Sequence, residues 1–256
     1  MSFPALVGVE LRKLRRSKIL LILLAPVVIM WLTAAVNARM SFDTRSVDIE
    51  PDANFFIQGF MGMVWFMIPA SLVVCCVLVT QLERSNGGMG KMLSLPVSPA
   101  ALSMAKFCCV VLLNLAQLVM CLAGYALAAL AATASTGCDM TLSPIYVVSV
   151  AAKLYLAAIP MAAVFWLLAS VIDATVFSVG IGLATIVPSV LMINTKLWAF
   201  YPMSYPFYLL MIEYGRSAEG IYETEPQLLP WLPAAAVITA VCLVISAKYF
   251  ARSERR

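Results

Sequence analysis

LERSNGGMGKMLSLPVSPAALSMAK, Leu82 to Lys106, separates two long apolar runs, Phe55–Thr80 and Phe107–Ala132. Each run is long enough to cross about 30 Å of hydrocarbon as a helix. The break between them opens on an acid, Glu83, followed by a glycine cluster at Gly87, Gly88 and Gly90. A short apolar helix-like piece follows (Met92, Leu93, Leu95), stopped by Pro96 and Pro99, and Lys106 stands at the start of the next run. A membrane protein rarely keeps so structured an internal loop unless something soluble must grip it. The break is therefore both the marker of a spanning topology and the first pointer to function.

Working outward, the same alternation recurs along the chain. Four further runs, Ile19–Val36, Ile145–Val171, Val176–Asn194 and Trp231–Phe250, are of spanning length. Apolar residues make up 63% of the 256 and charged residues only 12%, against about 25% charged in a soluble domain. Mean hydropathy is +0.96. The expected fold is all-α: one polytopic membrane domain over residues 1–256 with six spanning helices. No polar stretch is long enough to build a soluble core, and no Gly-Lys-Ser/Thr phosphate loop occurs. The chain is thus expected to carry no ATP site or catalytic domain. A cleavable signal peptide is not expected either, because the first run lacks a small-x-small site before the acidic loop.

Lys and Arg placement orients the spans. Arg12, Lys13, Arg15, Arg16 and Lys18 precede the first, Arg84, Lys91 and Lys106 fall between the second and third, and Lys248, Arg252, Arg255 and Arg256 close the chain. The other side carries only Arg39, Arg45, Lys196 and Arg216, with most of the acids, among them Asp43, Asp48, Glu50, Asp52, Asp139, Glu213, Glu219, Glu223 and Glu225. Both termini and the Leu82–Lys106 loop are expected in the cytoplasm. The net charge of +4 reports topology and gives no sign of a nucleic-acid partner.

Two segments outside the spans stand out. In residues 2–18, Phe3, Leu6, Val7, Leu11 and Leu14 fall near one helical face, with the basic residues and Glu10 on much of the rest. This suits either an amphipathic helix in the inner interface, near anionic lipid, or a plain basic flank that sets topology. Residues 195–230 begin aromatic and apolar but are broken by Pro202 and Pro206, then turn acidic. Such a segment cannot span. It can dip into the outer leaflet where protein covers its backbone, or serve as an aromatic anchor.

Histidine is absent, which removes His-based acid–base catalysis and His-ligated metals. The cysteines show no metal spacing. Cys75, Cys76, Cys108, Cys109, Cys121 and Cys242 lie in apolar runs as small packing residues, and Cys138 alone is expected outside. Gly124 with Ala128 and Ser178 with Gly182 are small pairs suited to close helix approach. Asn114 and Gln117, one turn apart, can hydrogen-bond between helices, and Pro26, Pro69, Pro160 and Pro188 are expected to kink theirs. Lys153, inside the fourth run, has three readings: it snorkels outward, it faces a polar cavity on a transport path, or the helix starts later. Asp173, in the short turn after that run, is either a helix cap or a partner contact.

The opening Glu10-Leu11-Arg12-Lys13-Leu14-Arg15-Arg16-Ser17-Lys18 resembles the E-x-x-K-hydrophobic-K/R-R-S start of ABC-2 exporter permeases. Glu83, then Gly90-Lys91-Met92-Leu93-Ser94-Leu95-Pro96-Val97-Ser98, then Lys106, is similar to that family's E…G-T-x-x-L-L-x-x-P-V-S/R…K loop. Lys91 departs from it, since the family often has threonine there. The resemblance extends to the layout of six spans, both ends inside, and a long outer segment before the last.

The resemblance implies a permease without ATPase activity, of the bacterial plasma membrane, working with two cytoplasmic ATP-binding subunits and a second permease, identical or homologous. ATP and Mg would be bound by the partner, and no cofactor or metal by this chain. Glu83, Arg84, Gly90, Lys91, Leu93 and Pro96 would couple to the ATPase. Glu83 also reads as a solvated acid at a helix end. Glu10, Arg12, Lys13, Arg15 and Arg16 would form the N-terminal contact. Trp198, Tyr201, Tyr205 and Phe207, with Lys153, would line the outer end of the path. Size and style are closest to permeases of lantibiotic self-protection, which expel a membrane-bound antimicrobial peptide. Drug, lipid or polysaccharide export is the alternative, and a non-transporting scaffold or peptide sensor is a reading of another class.

Overall fold

The computed structural model describes residues 2–15, 17–42, 49–84, 98–137, 139–218 and 225–253. Among them the ordered elements are all helical. Six helices are long and apolar enough to cross a membrane: Ile19–Val36, Pro51–Leu82, Pro99–Thr136, Pro144–Val171, Thr175–Met192 and Leu228–Phe250. The first matches the expected run residue for residue. The third begins at Pro99, eight positions before the expected Phe107, because Ser98 caps it: its Oγ accepts from Ala101 N at 3.3 Å, and Pro99 occupies the first helical turn. Ser103 and Lys106 therefore belong to a helix and not to a loop.

Helix α1 (Phe3–Arg15) is separated from α2 (Ile19–Val36) by Lys18, the only non-glycine residue of positive φ (55°) among those described. Ser17 Oγ closes the turn on the Leu14 carbonyl at 2.6 Å. Short α3 (Ala38–Phe42) leads to the second span, which is α4 (Pro51–Gly62), a π-helical turn (Met63–Met67) and α5 (Ile68–Arg84). Pro69 explains the turn. It brings no N–H to the ladder and its ring crowds the carbonyl four residues back, so the preceding turn opens and Ile68 N reaches Met63 O.

Helix α6 (Pro99–Thr136) and helix α7 (Pro144–Val171) follow. The fifth span is broken into α8 (Thr175–Ala184) and α9 (Ser189–Met192), with Pro188 at the break. Two 3-10 turns, Trp198–Phe200 and Pro202–Ser204, then α10 (Tyr205–Ser217), precede the last helix α11 (Leu228–Ser253).

The centre of the bundle is the second span with α6 and α7; α7 packs against α5, α6, α10 and α11, while α2 lies against α6. The first, fifth and sixth spans turn most of their apolar surface outward, with Leu21, Leu32, Val176 and Val237 all more than half exposed. Glycine decides one close approach. Trp31 sits between α4 and α6, where a Cβ on Gly59 or Gly124 would stand 2.5 Å or 2.6 Å from its ring. The expected role of Gly124 in close packing is met, by an indole rather than by another backbone. Gly182 likewise meets Val73, 2.7 Å from where its Cβ would be. Gln117 makes the expected interhelical bond, donating to Ser71 Oγ at 2.8 Å.

Candidate functional site

Two constellations carry charge, one at each end of the bundle. At the first, Leu6 of α1, Leu102 and Ala105 of α6, and Phe250 of α11 form a small apolar cluster of their own. The N-terminal helix and the end of the last span therefore share one end with the start of the third span. Arg12, Lys13, Arg15 and Lys18 stand at this end.

Within α1 the buried stripe is Leu6, Glu10 and Leu14, spaced by four. This corrects the expectation that placed Glu10 on the polar face. Glu10 is 4% exposed, and Phe3, expected on the apolar face, is exposed. The cause is Lys106, itself 1% exposed, whose Nζ donates to Glu10 Oε2 at 2.7 Å. Lys13 Nζ holds Oε1 at 2.5 Å. Burial pushes the Glu10 carboxyl up, but the two ammonium groups outweigh it and leave it below its ordinary value of 4.5. The pair fastens α1 to α6. Arg12 and Arg15 remain exposed and Lys13 half-buried on the outer side of α1.

Glu83 and Arg84 lie in the last turn of α5, at this same end; Arg16, Gly90, Lys91, Leu93 and Pro96 fall outside the described residues. Gln81, just before, hydrogen-bonds Thr175 at the start of α8. Ala174, not Asp173, occupies the N-cap position of α8.

At the other end, α10 has 13 residues, about 20 Å of helix, too short to span. Its backbone is covered by protein: Tyr205 to Leu210 are all buried, against α4 and α7. Trp198 stacks on Tyr208 with centroids 4.0 Å apart, and Trp231 of α11 meets Tyr205 and Tyr208 edge-on. Tyr205 donates to the Ala199 carbonyl at 2.6 Å, and Tyr201 to the Thr185 carbonyl. Trp198, Tyr205 and Phe207 are thus buried brackets of the segment, with Tyr201 half-buried.

Lys153 belongs to α7 well after its start at Pro144, so the reading of a later helix start is set aside. Its Nζ donates to Glu213 Oε1 of α10 at 2.9 Å, Arg216 reaches the same oxygen at 3.1 Å, and Tyr146 approaches Oε2 at 3.4 Å. Glu213 was counted only among the outer acids in sequence. Nothing local marked it as the partner of a lysine 60 positions away.

The family model described as ABC-2 family transporter protein matches residues 6–189, more than half of the chain. The chain belongs to the ABC-2 family. A comparison with curated proteins returned no match. The ABC-2 match runs from α1 into the fifth span, so it takes in Glu10, Lys106 and the whole stretch between the second and third spans. It ends before the aromatic segment and α11. In this permease Asp52 adds an unanticipated tie at the opposite end: buried, it accepts from Thr141 N at 2.9 Å and Thr141 Oγ1 at 2.5 Å. Among the described residues no group of His, Cys, Asp and Glu has the arrangement of a metal site.

Proposed function

We propose that this ABC-2 permease is the membrane subunit of an ATP-driven exporter, paired with a second permease and with two cytoplasmic ATP-binding subunits. The basic end faces the cytoplasm, as its Lys and Arg residues favour, in a bacterial plasma membrane. The observation that carries the reading is the buried Glu10–Lys106 pair. It fastens α1 to the start of α6, which directly follows residues 85–97. A nucleotide-driven partner biases a membrane bundle only through contacts that differ between its states, and a pinned helix transmits such contacts where a loose one yields. Glu83, Arg84, Gly90, Lys91, Leu93 and Pro96 then act as the coupling element, with Arg12, Lys13, Arg15 and Arg16 as the second contact. Glu10 serves by holding α1 in place.

The cargo in this reading is an amphipathic molecule, an antimicrobial peptide of lantibiotic type first among candidates, with Trp198, Tyr201, Tyr205 and Phe207 at the outer end of its path. Support comes from the largely apolar flanks of the spans and the covered, non-spanning α10. The test is co-expression with the proteins encoded by its neighbouring genes, then purification and a search for a bound ATP-binding protein. A stable complex whose ATP turnover rises with a lantibiotic supports the reading. Turnover that rises only with drugs, lipids or polysaccharide precursors reassigns the cargo, and recovery of the chain alone rejects the exporter in favour of a scaffold or sensor. In the complex, Glu83→Ala should lower substrate-stimulated turnover severalfold with expression unchanged.

A further inference from the structure

The flank between α7, α10 and α11 holds a pocket of about 370 Å³, inside the range of about 300–1,000 Å³ for sites that take one small molecule. Its wall is apolar over Leu156, Pro160, Leu209, Leu232 and Ala235. Leu156 and Leu232 are exposed on the outer face of the bundle, so the pocket opens sideways, toward lipid. Its charged groups are Lys153, Glu213 and Arg216. The carboxylate is already engaged by Lys153, Arg216 and Tyr146, and is buried. Lys153 differs, with 47% of its side chain exposed. An ammonium has three N–H groups, and the bond to Glu213 uses one. What the pocket lacks is an acceptor for the N–H groups that Glu213 leaves on Lys153.

Depth is compatible with a headgroup. Helix α7 has 28 residues, about 42 Å against a hydrocarbon core of about 30 Å. Lys153 lies about 14 Å along it from Pro144. With the overhang shared between the two faces, the lysine sits within about 8 Å of the boundary, where a long stem brings its ammonium to headgroup level. A zwitterionic headgroup would bring a cation to a cluster whose carboxylate is already held by three donors.

We infer that this pocket seats one membrane phospholipid with an anionic headgroup. Its phosphate oxygens accept from Lys153, and an acyl chain lies along Leu156, Pro160 and Leu232. Occupancy does not depend on export and holds whether or not the chain drives transport.

The test uses the full-length protein in dodecylmaltoside micelles containing equal phosphatidylglycerol and phosphatidylcholine, with retained lipid counted by mass spectrometry after gel filtration. Phosphatidylglycerol should be enriched about fivefold, the factor one lysine contributes near an anionic surface. Lys153→Gln should bring the ratio close to one. Lys196→Gln, which removes an exposed cation at the same end, should leave it unchanged. Leu232→Trp fills the apolar trough without touching charge, and should lose the lipid even if Lys153→Gln fails to fold. Equal retention of the two lipids overturns the site, as does enrichment that survives Lys153→Gln or falls equally with Lys196→Gln. Retention of added oleate in place of phosphatidylglycerol overturns the phospholipid assignment.

Discussion

A carboxylate set in the middle of an apolar stripe is tolerable only beside a cation. Lys106 supplies it to Glu10, and neither charge has an exit to water. Removing one partner breaks this buried pair, at a cost of up to about 3–5 kcal/mol, although Lys13 keeps its hold on Glu10 Oε1. Lys106→Met should therefore lower the melting temperature in detergent markedly. Glu10→Leu combined with Lys106→Met should recover most of the loss, a non-additivity that a thermal-shift cycle measures. The folded carboxyl lies below 4.5, so its contribution is complete at neutral pH and is lost as the pH falls below 4.5 through the folded value. Hydrogen exchange across Phe3–Arg15 should stay protected at pH 7 and open in that acid window. Gly124 offers a second residue-scale test. Alanine there meets Trp31 at 2.6 Å, and overpacking of this kind costs about 1–3 kcal/mol. Trp31 donates to Cys121 Sγ at 3.2 Å, so Gly124→Ala should also change tryptophan emission.

At the scale of elements, α10 is held from both ends. Its first residue, Tyr205, is fully buried and bonded to the Ala199 carbonyl, and near its C-terminal end Glu213 meets Lys153 and Arg216. Tyr205→Phe keeps the ring contacts with Trp231 and strands only the carbonyl, an expected loss of about 1–3 kcal/mol in thermal stability, with the lipid ratio at Lys153 unchanged. The elements also separate what local signals carry from what they do not. Ile19–Val36 was legible to the residue because Lys18 and Asn37 bound an unbroken apolar run. The start of α6 was not, because Lys106 reads as a boundary until its partner is known. The Ser98-Pro99 cap was present in sequence but outweighed by that charge. Pro69 announced a disturbance in the second span, yet not that it would take the form of a π turn before the proline.

For the whole molecule, six spans with both ends together give a simple expectation. A fluorescent protein fused to either terminus should fluoresce, and a phosphatase fused after Asp139 should be active only if that turn lies outside. The reverse pattern would invert the orientation and remove the cytoplasmic platform. Composition and run length alone determined that the described residues form an all-α bundle with six helices long and apolar enough to span, because burying a backbone in hydrocarbon requires helices of that length and apolarity. Its family was legible in the order of Glu10, Glu83 and the Gly90–Ser98 loop. Only the tertiary structure decided that Glu10 turns inward to Lys106, that Lys153 meets Glu213, and that Trp31 lodges between Gly59 and Gly124. Those pairings depend on how each helix is rotated about its axis against its neighbours. In a chain apolar on every side, no periodicity records that rotation; the few polar side chains and the packing of the bundle select it.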